Sequence, residues 1–382
     1  MTSKRKKTIL SLIVNMMLIT AALLVFGSCA KDDDDPEIPI ERVLLVYMAG
    51  DNNLSSETYQ KIEEIRKGWN GDARHRLLVY TDPADAAPSL NEIVRENSNN
   101  TLQKLSVYEE ENSASGEVFS RVIRDMMRMY PAPSYGLLVF SHASGWLPEG
   151  ALTKPKSLLI DGTDEMALTD FGTAIPNNTF DYIVFETCFS AGIEAAYQLK
   201  DKTKYILASS AEIVSPGFTP IYNNAINLLF EKEKPAEKFG RATYTYFNQQ
   251  SGYMRSATFS VIDTKGLDNL AKYIKENCDF EKEFILTDIQ KFDRYSYRLF
   301  FDFGDYYSRL LETEEERQEL NRLIEKCVVW KVSTPLFMQG YNGFEIKEYS
   351  GMTSYIPQQR FPLLDTAYRR TQWSKDIHPG RD

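Results

Sequence analysis

The chain has 382 residues, of which 43% are hydrophobic and 12% aromatic, enough for one large α/β domain or for a domain with a smaller appendage. Its formal net charge is -10, and no basic cluster follows the N-terminal segment, which argues against nucleic acid or anionic lipid surfaces as partners. Zinc is not expected, because His75, His142 and His378 are the only histidines and none has a metal-ligand spacing.

The N-terminus has the pattern of a secretion signal. Basic residues at 4–7 precede an apolar stretch over 9–26, and small residues lead to Cys29. The motif Phe-Gly-Ser-Cys at 26–29 resembles a bacterial lipobox, which implies cleavage before Cys29, a lipid on its thiol and a membrane anchor. The alternative is an uncleaved transmembrane anchor. We predict a lipoprotein signal peptide over 1–28.

An acidic tether follows over 29–40, with four consecutive aspartates at 32–35. Such a run is typical of a solvated linker. It also resembles the acidic export tag of surface lipoproteins in some Gram-negative lineages. The resemblance implies a lipid-anchored, extracytoplasmic protein at the outer membrane or cell surface.

Strands and helices alternate along the rest of the chain. The predicted strands are Val43–Met48, Arg76–Thr81, Gly136–Ser141, Tyr182–Phe185, Tyr205–Ala208 and Thr258–Ile262. The predicted helices include Ser56–Lys67, Gly116–Met129, Ala191–Leu199 and Lys234–Asn248. This order favours an α/β fold with a mainly parallel sheet flanked by helices and a ligand site beyond the carboxyl ends of the strands. We assign 41–262 to this core and the helix-rich 263–382 to a smaller C-terminal subdomain packed on it.

Two residues with catalytic chemistry, His142 and Cys188, each follow an apolar, β-rich run. A thiolate is the nucleophilic form of cysteine, and a nearby imidazole that takes the proton raises its reactivity. Cys188 also stands where a helix is predicted to begin, and helix N-terminal N–H groups lower a thiol pKa. The N–H of Cys188 and that of Ala143 or Ser144 are the expected oxyanion donors.

The cysteine count is consistent with a reactive thiol. If Cys29 carries lipid, three cysteines remain outside the cytoplasm, so at least one of Cys188, Cys278 and Cys327 is unpaired. Cys188 is the natural candidate. The alternative is that all three are buried and act as small hydrophobic residues.

The spacing and flanking motifs carry a family resemblance. His142 and Cys188 are 46 residues apart (188 − 142), each at the end of an apolar strand. Further motifs are Tyr47–Leu54, Ser141–Trp146, Glu186–Cys188, Glu194–Tyr197, Phe301–Asp305 and Gly351–Pro357. Together they resemble the clostripain family of caspase-like cysteine peptidases and span most of the chain after the tether.

The resemblance implies a cysteine endopeptidase that cleaves peptide or protein substrates through a thioester, with His142 as proton acceptor and Cys188 as nucleophile. Family members commonly prefer Arg or Lys before the scissile bond. Glu186, where the family usually has Asp, and Glu212 are the expected substrate-binding residues. Glu212 is explained equally well as a solvated surface acid.

One departure from the family bears on activity. Ala143 stands where the family usually has Gly after the catalytic histidine, and a positive φ there would tilt an oxyanion donor. The alternative function is therefore a catalytically impaired clostripain-like surface lipoprotein that acts as a binding protein. Serine hydrolysis through Ser144 or Ser190 is not expected, because the chain lacks a nucleophile-elbow motif.

Self-cleavage and calcium dependence also occur among clostripain relatives. We predict cleavage after Lys156, since the nearby Lys154 precedes a proline. No cofactor and no metal site are predicted, although some relatives depend on calcium. The segments 51–53 and 161–165 contain oxygen ligands without full EF-hand spacing, so helix capping and turn chemistry explain them better.

Overall fold

A nine-stranded sheet forms the centre of the fold. The structure is a computed structural model that describes residues 38–51, 54–109, 111–148, 158–162 and 164–378. The strands in these ranges are β1 (Arg42–Gly50), β2 (His75–Pro83), β3 (Ser89–Glu96), β4 (Asn99–Val107), β5 (Tyr135–Phe140), β6 (Leu159–Asp161), β7 (Asp164–Met166), β8 (Phe180–Glu186), β9 (Thr203–Ser209), β10 (Thr258–Asp263), β11 (Phe301–Asp302), β12 (Val328–Ser333), β13 (Leu336–Phe337), β14 (Phe344–Glu345) and β15 (Thr353–Ser354). The α-helices are α1 (Ser55–Gly68), α2 (Gly116–Met129), α3 (Leu168–Ala174), α4 (Ile193–Gln198), α5 (Thr219–Ala225), α6 (Pro235–Asn248), α7 (Leu267–Asn277), α8 (Phe303–Arg309), α9 (Glu314–Cys327), α10 (Pro362–Arg370) and α11 (Gln372–Ile377).

The large sheet has the strand order β12-β10-β9-β8-β5-β1-β2-β3-β4. Its centre is parallel, from β9 through β8, β5 and β1 to β2. Both sides end in antiparallel strands. Parallel neighbours need long crossover connections, which the intervening helices provide. The predicted α/β fold is confirmed, and the carboxyl ends of the central strands meet at one edge of the sheet.

Alternate residues of the central strands face two separate cores. In β1, Val43 and Tyr47 lie in one core and Leu44 and Val46 in the other, all fully buried. Helices α2, α3, α4, α7 and α9 contribute to the first core, and α1, α5 and α6 to the second. Burial on both faces explains why these strands have almost continuous apolar sequences.

The predicted strands and helices are all present, with ends that agree within two residues. The hairpin of β3 and β4 was not predicted. Its two-residue turn places Asn97 and Ser98 at positive φ, 48° and 70°. Because β4 is largely exposed, the hairpin lacks the apolar run that marks the central strands.

The described residues between Ile40 and His378 form one compact unit. Within it, β12 from the predicted C-terminal subdomain pairs with β10 at the edge of the large sheet. The division at residue 262 stays a prediction. Across the described ranges, the structure contains no helix with the length and apolar character needed to span a bilayer.

Candidate active site

Two neighbouring strands bring His142 and Cys188 to the same level of the sheet edge. β5 and β8 run parallel, with Phe140 opposite Glu186. His142 and Cys188 each lie two residues beyond this pair, on strands about 4.8 Å apart. Both residues are half-buried. Asp51 follows β1, the strand on the other side of β5, at the same edge.

The loop after β8 is tied to the loop after β9. The backbone N–H of Phe189 donates to Ala211 O over 3.0 Å. The backbone N–H of Ile213 donates to Cys188 Sγ over 3.4 Å. A hydrogen bond that is donated to sulfur favours the thiolate over the thiol. The β9 loop therefore contributes directly to the environment of Cys188.

The helix after Cys188 begins later than predicted. α4 begins at Ile193 with Gly192 as its N-cap, five residues beyond Cys188 (193 − 188). Cys188 itself lies in a turn, and the next residue, Phe189, has a positive φ of 57°. The prediction that Cys188 stands at a helix N-terminus is wrong. The donor to its sulfur comes from Ile213 instead.

The loop that carries His142 packs on the loop that carries Cys188. Gly145 has a φ of +64°, and a Cβ there would lie 2.4 Å from Phe189 O. Only glycine combines this backbone conformation with so close an approach. The Oγ of Ser141 accepts the N–H of Ile160 over 3.0 Å, which ties the start of the histidine loop to β6.

Ala143 is buried, and its φ is not positive. The backbone conformation that glycine would favour is therefore not required at this position. The condition under which Ala143 would tilt an oxyanion donor is not met. The assignment of the Ala143 and Cys188 N–H groups to the oxyanion hole stays a prediction.

Glu186 forms a buried ion pair with a lysine. Lys61 Nζ lies 2.6 Å from Glu186 Oε1, and the two side chains are 0% and 2% exposed. The N–H of Phe218 donates to the same oxygen over 2.5 Å, and the Tyr222 hydroxyl donates to the other. Burial raises the pKa of Glu186, while Lys61 and these donors oppose the rise. In this structure the carboxylate is inaccessible and already paired, which argues against substrate contact. The substrate-binding role of Glu186 stays a prediction.

Glu212 lies next to the environment of Cys188 and also has a partner. It directly precedes Ile213, whose N–H donates to Cys188 Sγ. Arg294 Nε donates to Glu212 Oε2 over 2.6 Å, and Nη2 donates to Oε1 over 2.8 Å. The Arg294 and Glu212 side chains are 25% and 26% exposed. Glu212 is thus a carboxylate near Cys188 that remains in contact with solvent.

The sequence pattern of the clostripain family matches residues 46–360. The chain belongs to the clostripain family. No curated protein sequence matches it significantly. The match extends across both the histidine and the cysteine loop, so the family assignment made from the motifs is confirmed.

Solved structures of related proteases have the same fold as this clostripain-family chain. An inactive zymogen C11 protease from Parabacteroides distasonis is 30% identical, with a TM-score of 0.79 over 89% of this chain and 98% of that one. A secreted C11 cysteine protease from Bacteroides thetaiotaomicron, in complex with an irreversible peptide inhibitor, is 23% identical, with a TM-score of 0.79 over 89% and 99%. These neighbours are cysteine proteases.

Sequence reasoning missed two cations of this clostripain-family site. Lys61 lies on the buried side of α1 with Thr58, Ile62 and Ile65. A lysine on the otherwise buried face of an amphipathic helix is the sequence feature that could have indicated a buried ion pair. Arg294 lies in an irregular segment between α7 and α8, where no periodic pattern singles it out. Its partner Glu212 is 82 residues away along the chain.

Several predictions fall on residues that the structure does not describe. Cys29 and Lys156 lie outside the described ranges, as do the signal peptide and most of the tether. Lipid attachment and self-cleavage therefore stay predictions. Within the described ranges, no group of three or more His, Cys, Asp or Glu side chains is arranged to hold a metal ion. Parts of the oxygen-rich segments 51–53 and 161–165 lie outside those ranges.

Proposed function

We propose that the protein is a cysteine endopeptidase that uses a His142/Cys188 dyad and cleaves after Arg or Lys. The observation that carries the proposal is the β5–β8 register, in which both residues lie two positions beyond one strand pair. Membership of the clostripain family supports the reaction class. The peptide inhibitor bound to the Bacteroides thetaiotaomicron protease supports a peptide as the kind of substrate.

In the proposed mechanism, His142 accepts the proton of Cys188 Sγ, and the thiolate attacks the carbonyl carbon of the scissile bond. The N–H groups of Cys188 and Ala143 are the proposed donors to the resulting oxyanion. Breaking the C–N bond leaves a thioester, and His142 gives its proton to the departing amine. Water then attacks the thioester with His142 as base, which releases the carboxyl product and restores the thiol.

The proposed preference for a basic residue is supported by Glu212. Its carboxylate is partly exposed and directly precedes Ile213, the residue that donates to Cys188 Sγ. A carboxylate recognises a guanidinium through paired hydrogen bonds and an ammonium as a point charge. Glu186 is left out of substrate recognition, because Lys61 occupies its carboxylate in the core.

The test is turnover of fluorogenic peptides with Arg, Lys, Leu or Asp before the cut. We expect purified wild-type protein to cleave the Arg and Lys peptides, and Cys188→Ala and His142→Ala to lose that turnover. Cys278→Ala is the matched control, because burial raises the pKa of the Cys278 thiol to about 12 and makes it inert. Full turnover in Cys188→Ala would refute the dyad. No turnover in wild type, together with slow alkylation of Cys188, would support the binding-protein alternative.

We also propose that Cys29 carries a lipid, that the protein is anchored at the outer membrane or cell surface, and that the chain is cut after Lys156. The lipobox-like motif and the single basic residue before Ser157 support these assignments. Intact mass of protein from the membrane fraction tests both modifications. An unmodified Cys29 would exclude the anchor, and one uncut chain in active material would exclude the cleavage.

A further inference from the structure

Arg294 is held on Glu212 by more than its ion pair. Its Nη1 donates to Tyr341 O over 2.7 Å, and Asn342 Nδ2 donates to Arg294 O over 2.9 Å. Both the side chain and the backbone of Arg294 are therefore held in place. The guanidinium is therefore positioned by tertiary structure and rests on Glu212 in the absence of substrate.

The loop that carries Arg294 is fixed by a buried carboxylate. Asp293 is fully buried and accepts the N–H groups of Tyr295, Leu299 and Phe300 over 3.2, 2.9 and 3.0 Å. These bonds close the segment 293–300 into a loop, which we call the Asp293 loop. A carboxylate with several N–H donors is a stable organising centre for such a loop.

The Asp293 loop lies directly on the nucleophile loop. The ring of Phe300 stacks on that of Phe189, with centroids 4.3 Å apart and an interplanar angle of 12°. Phe189 is the residue after Cys188. Arg294 also pairs with Glu212, and the residue after Glu212, Ile213, donates its N–H to Cys188 Sγ. Arg294 is therefore a cation held beside the loops that surround Cys188.

We propose that Arg294 is an internal competitor for the basic side chain of the substrate, which must displace it from Glu212 in order to bind. This inference rests on the proposed function, in which Glu212 recognises the basic side chain of the substrate. It adds that Arg294 is bound to Glu212 when no substrate is present. The exchange is feasible because the pair is partly exposed, and one guanidinium replaces another on the same carboxylate. The Lys61–Glu186 pair could not exchange in this way, since both side chains are buried.

Removal of Arg294 should improve binding of basic ligands selectively. For Arg294→Gln we expect a KM about fivefold lower for peptides with Arg or Lys before the cut, which is the scale of a partly exposed ion pair, with kcat little changed. The KM for Leu peptides should stay constant. Arg298→Gln is the matched control, because Arg298 lies in the same loop but donates to the carbonyls of Thr287 and Ile289.

A double-mutant comparison tests whether the gain acts through Glu212. In the Glu212→Gln background, the further change Arg294→Gln should bring no gain. An equal gain for Leu peptides, or a higher KM for Arg and Lys peptides in Arg294→Gln, would overturn the proposal. Either result would identify Arg294 as a structural group or as a direct contributor to binding.

A binding measurement separates this inference from the proposed activity. Binding of benzamidine, a small amidinium ion, to the Cys188→Ala variant can be measured by titration calorimetry without any turnover and reports access to Glu212. We expect the double variant Cys188→Ala/Arg294→Gln to bind benzamidine about fivefold more tightly than Cys188→Ala. Unchanged or weaker binding would overturn the competitor role even if the enzyme is active. Tighter binding would support it even if no peptide is cleaved.

Discussion

Two carboxylates near Cys188, Glu186 and Glu212, both pair with a cation but differ in their exposure to solvent. Glu186 pairs with Lys61 where both side chains are buried, whereas Glu212 pairs with Arg294 where about a quarter of each side chain is exposed. Removing one partner of a buried pair leaves an uncompensated charge, but water can replace a partner at the surface. Removal of a partner should therefore destabilise the first pair strongly, whereas solvent reaches the second pair, as the proposed exchange requires.

The largest effect on stability should come from Lys61→Met. Without Lys61, the carboxylate of Glu186 stays buried with no cation, and we expect the free energy of unfolding to fall by about 3–5 kcal/mol. Urea denaturation measures this change in the free energy of unfolding. The control Lys67→Met, in the same helix, removes a lysine that is 47% exposed and should change stability little.

The double variant Lys61→Met/Glu186→Gln should recover most of the lost stability, because the uncompensated charge is gone. The amide oxygen of Gln can still accept the Phe218 N–H, and its NH2 group can donate to the Tyr222 hydroxyl oxygen. If the single variant Lys61→Met were as stable as Lys67→Met, the contrast between the two carboxylates would fail.

Glu194, in α4, is a third carboxylate that is buried, and no cation among the described residues contributes to its pKa. Burial raises its pKa from 4.5 to about 7, against the effect of the Tyr355 N–H that it accepts. The folded protein holds this proton up to about pH 7, whereas the unfolded chain releases it near pH 4.5. Stability from this group is thus complete below pH 4.5 and is lost as the pH rises through 7, by about 3 kcal/mol in all.

Glu194→Gln should remove most of this pH dependence, as measured by urea denaturation at pH 5.0, 6.0 and 7.5. A smaller slope of the same sign should remain, since burial also raises the pKa of Asp302 to about 6. Glu212→Gln is the control and should keep the full slope. An unchanged slope in Glu194→Gln would show that the carboxylate is already ionised in the folded protein at low pH.

A glycine offers a finer test of the Glu186 environment. Gly217 has a φ of +62°, and a Cβ there would lie 2.4 Å from Glu186 Oε1 and 3.3 Å from Lys61 Nζ. Gly252 has a similar φ of +56° with nothing within 4 Å. We expect Gly252→Ala to cost about 1 kcal/mol from backbone conformation and Gly217→Ala about 2 kcal/mol, because it also disturbs the ion pair. Thermal denaturation of the two variants gives the difference, and equal losses would contradict it.

The smallest effect on stability should come from Glu212→Gln. Because the pair with Arg294 is partly exposed, we expect a loss below about 1 kcal/mol. The same variant should lose at least about tenfold in kcat/KM for Arg and Lys peptides, since a charge-assisted contact to the substrate is gone. Leu peptides should be cleaved as before. A large loss of stability would place Glu212 with Glu186 as a structural group.

The fold could be predicted because its decisive features are local. The central strands are apolar on both faces, and α2 begins after Ser115, whose side chain accepts the N–H of Val118. The β3–β4 hairpin was not predicted, because β4 is exposed and has a polar sequence. The position of Cys188 in a turn, and not at a helix N-terminus, was also missed, because Phe189 at positive φ separates it from α4.

The sequence by itself determined the family, the α/β order and the two strand ends that carry His142 and Cys188, because periodicity and motifs lie within short stretches of chain. Only the tertiary structure decided the burial and the partner of each acid. Lys61 and Glu186 are 125 residues apart, and Arg294 and Glu212 are 82 apart. Whether a glutamate supports the core or faces a substrate depends on its burial and on the cation that packs against it. Neither can be predicted from the residues next to it in the sequence.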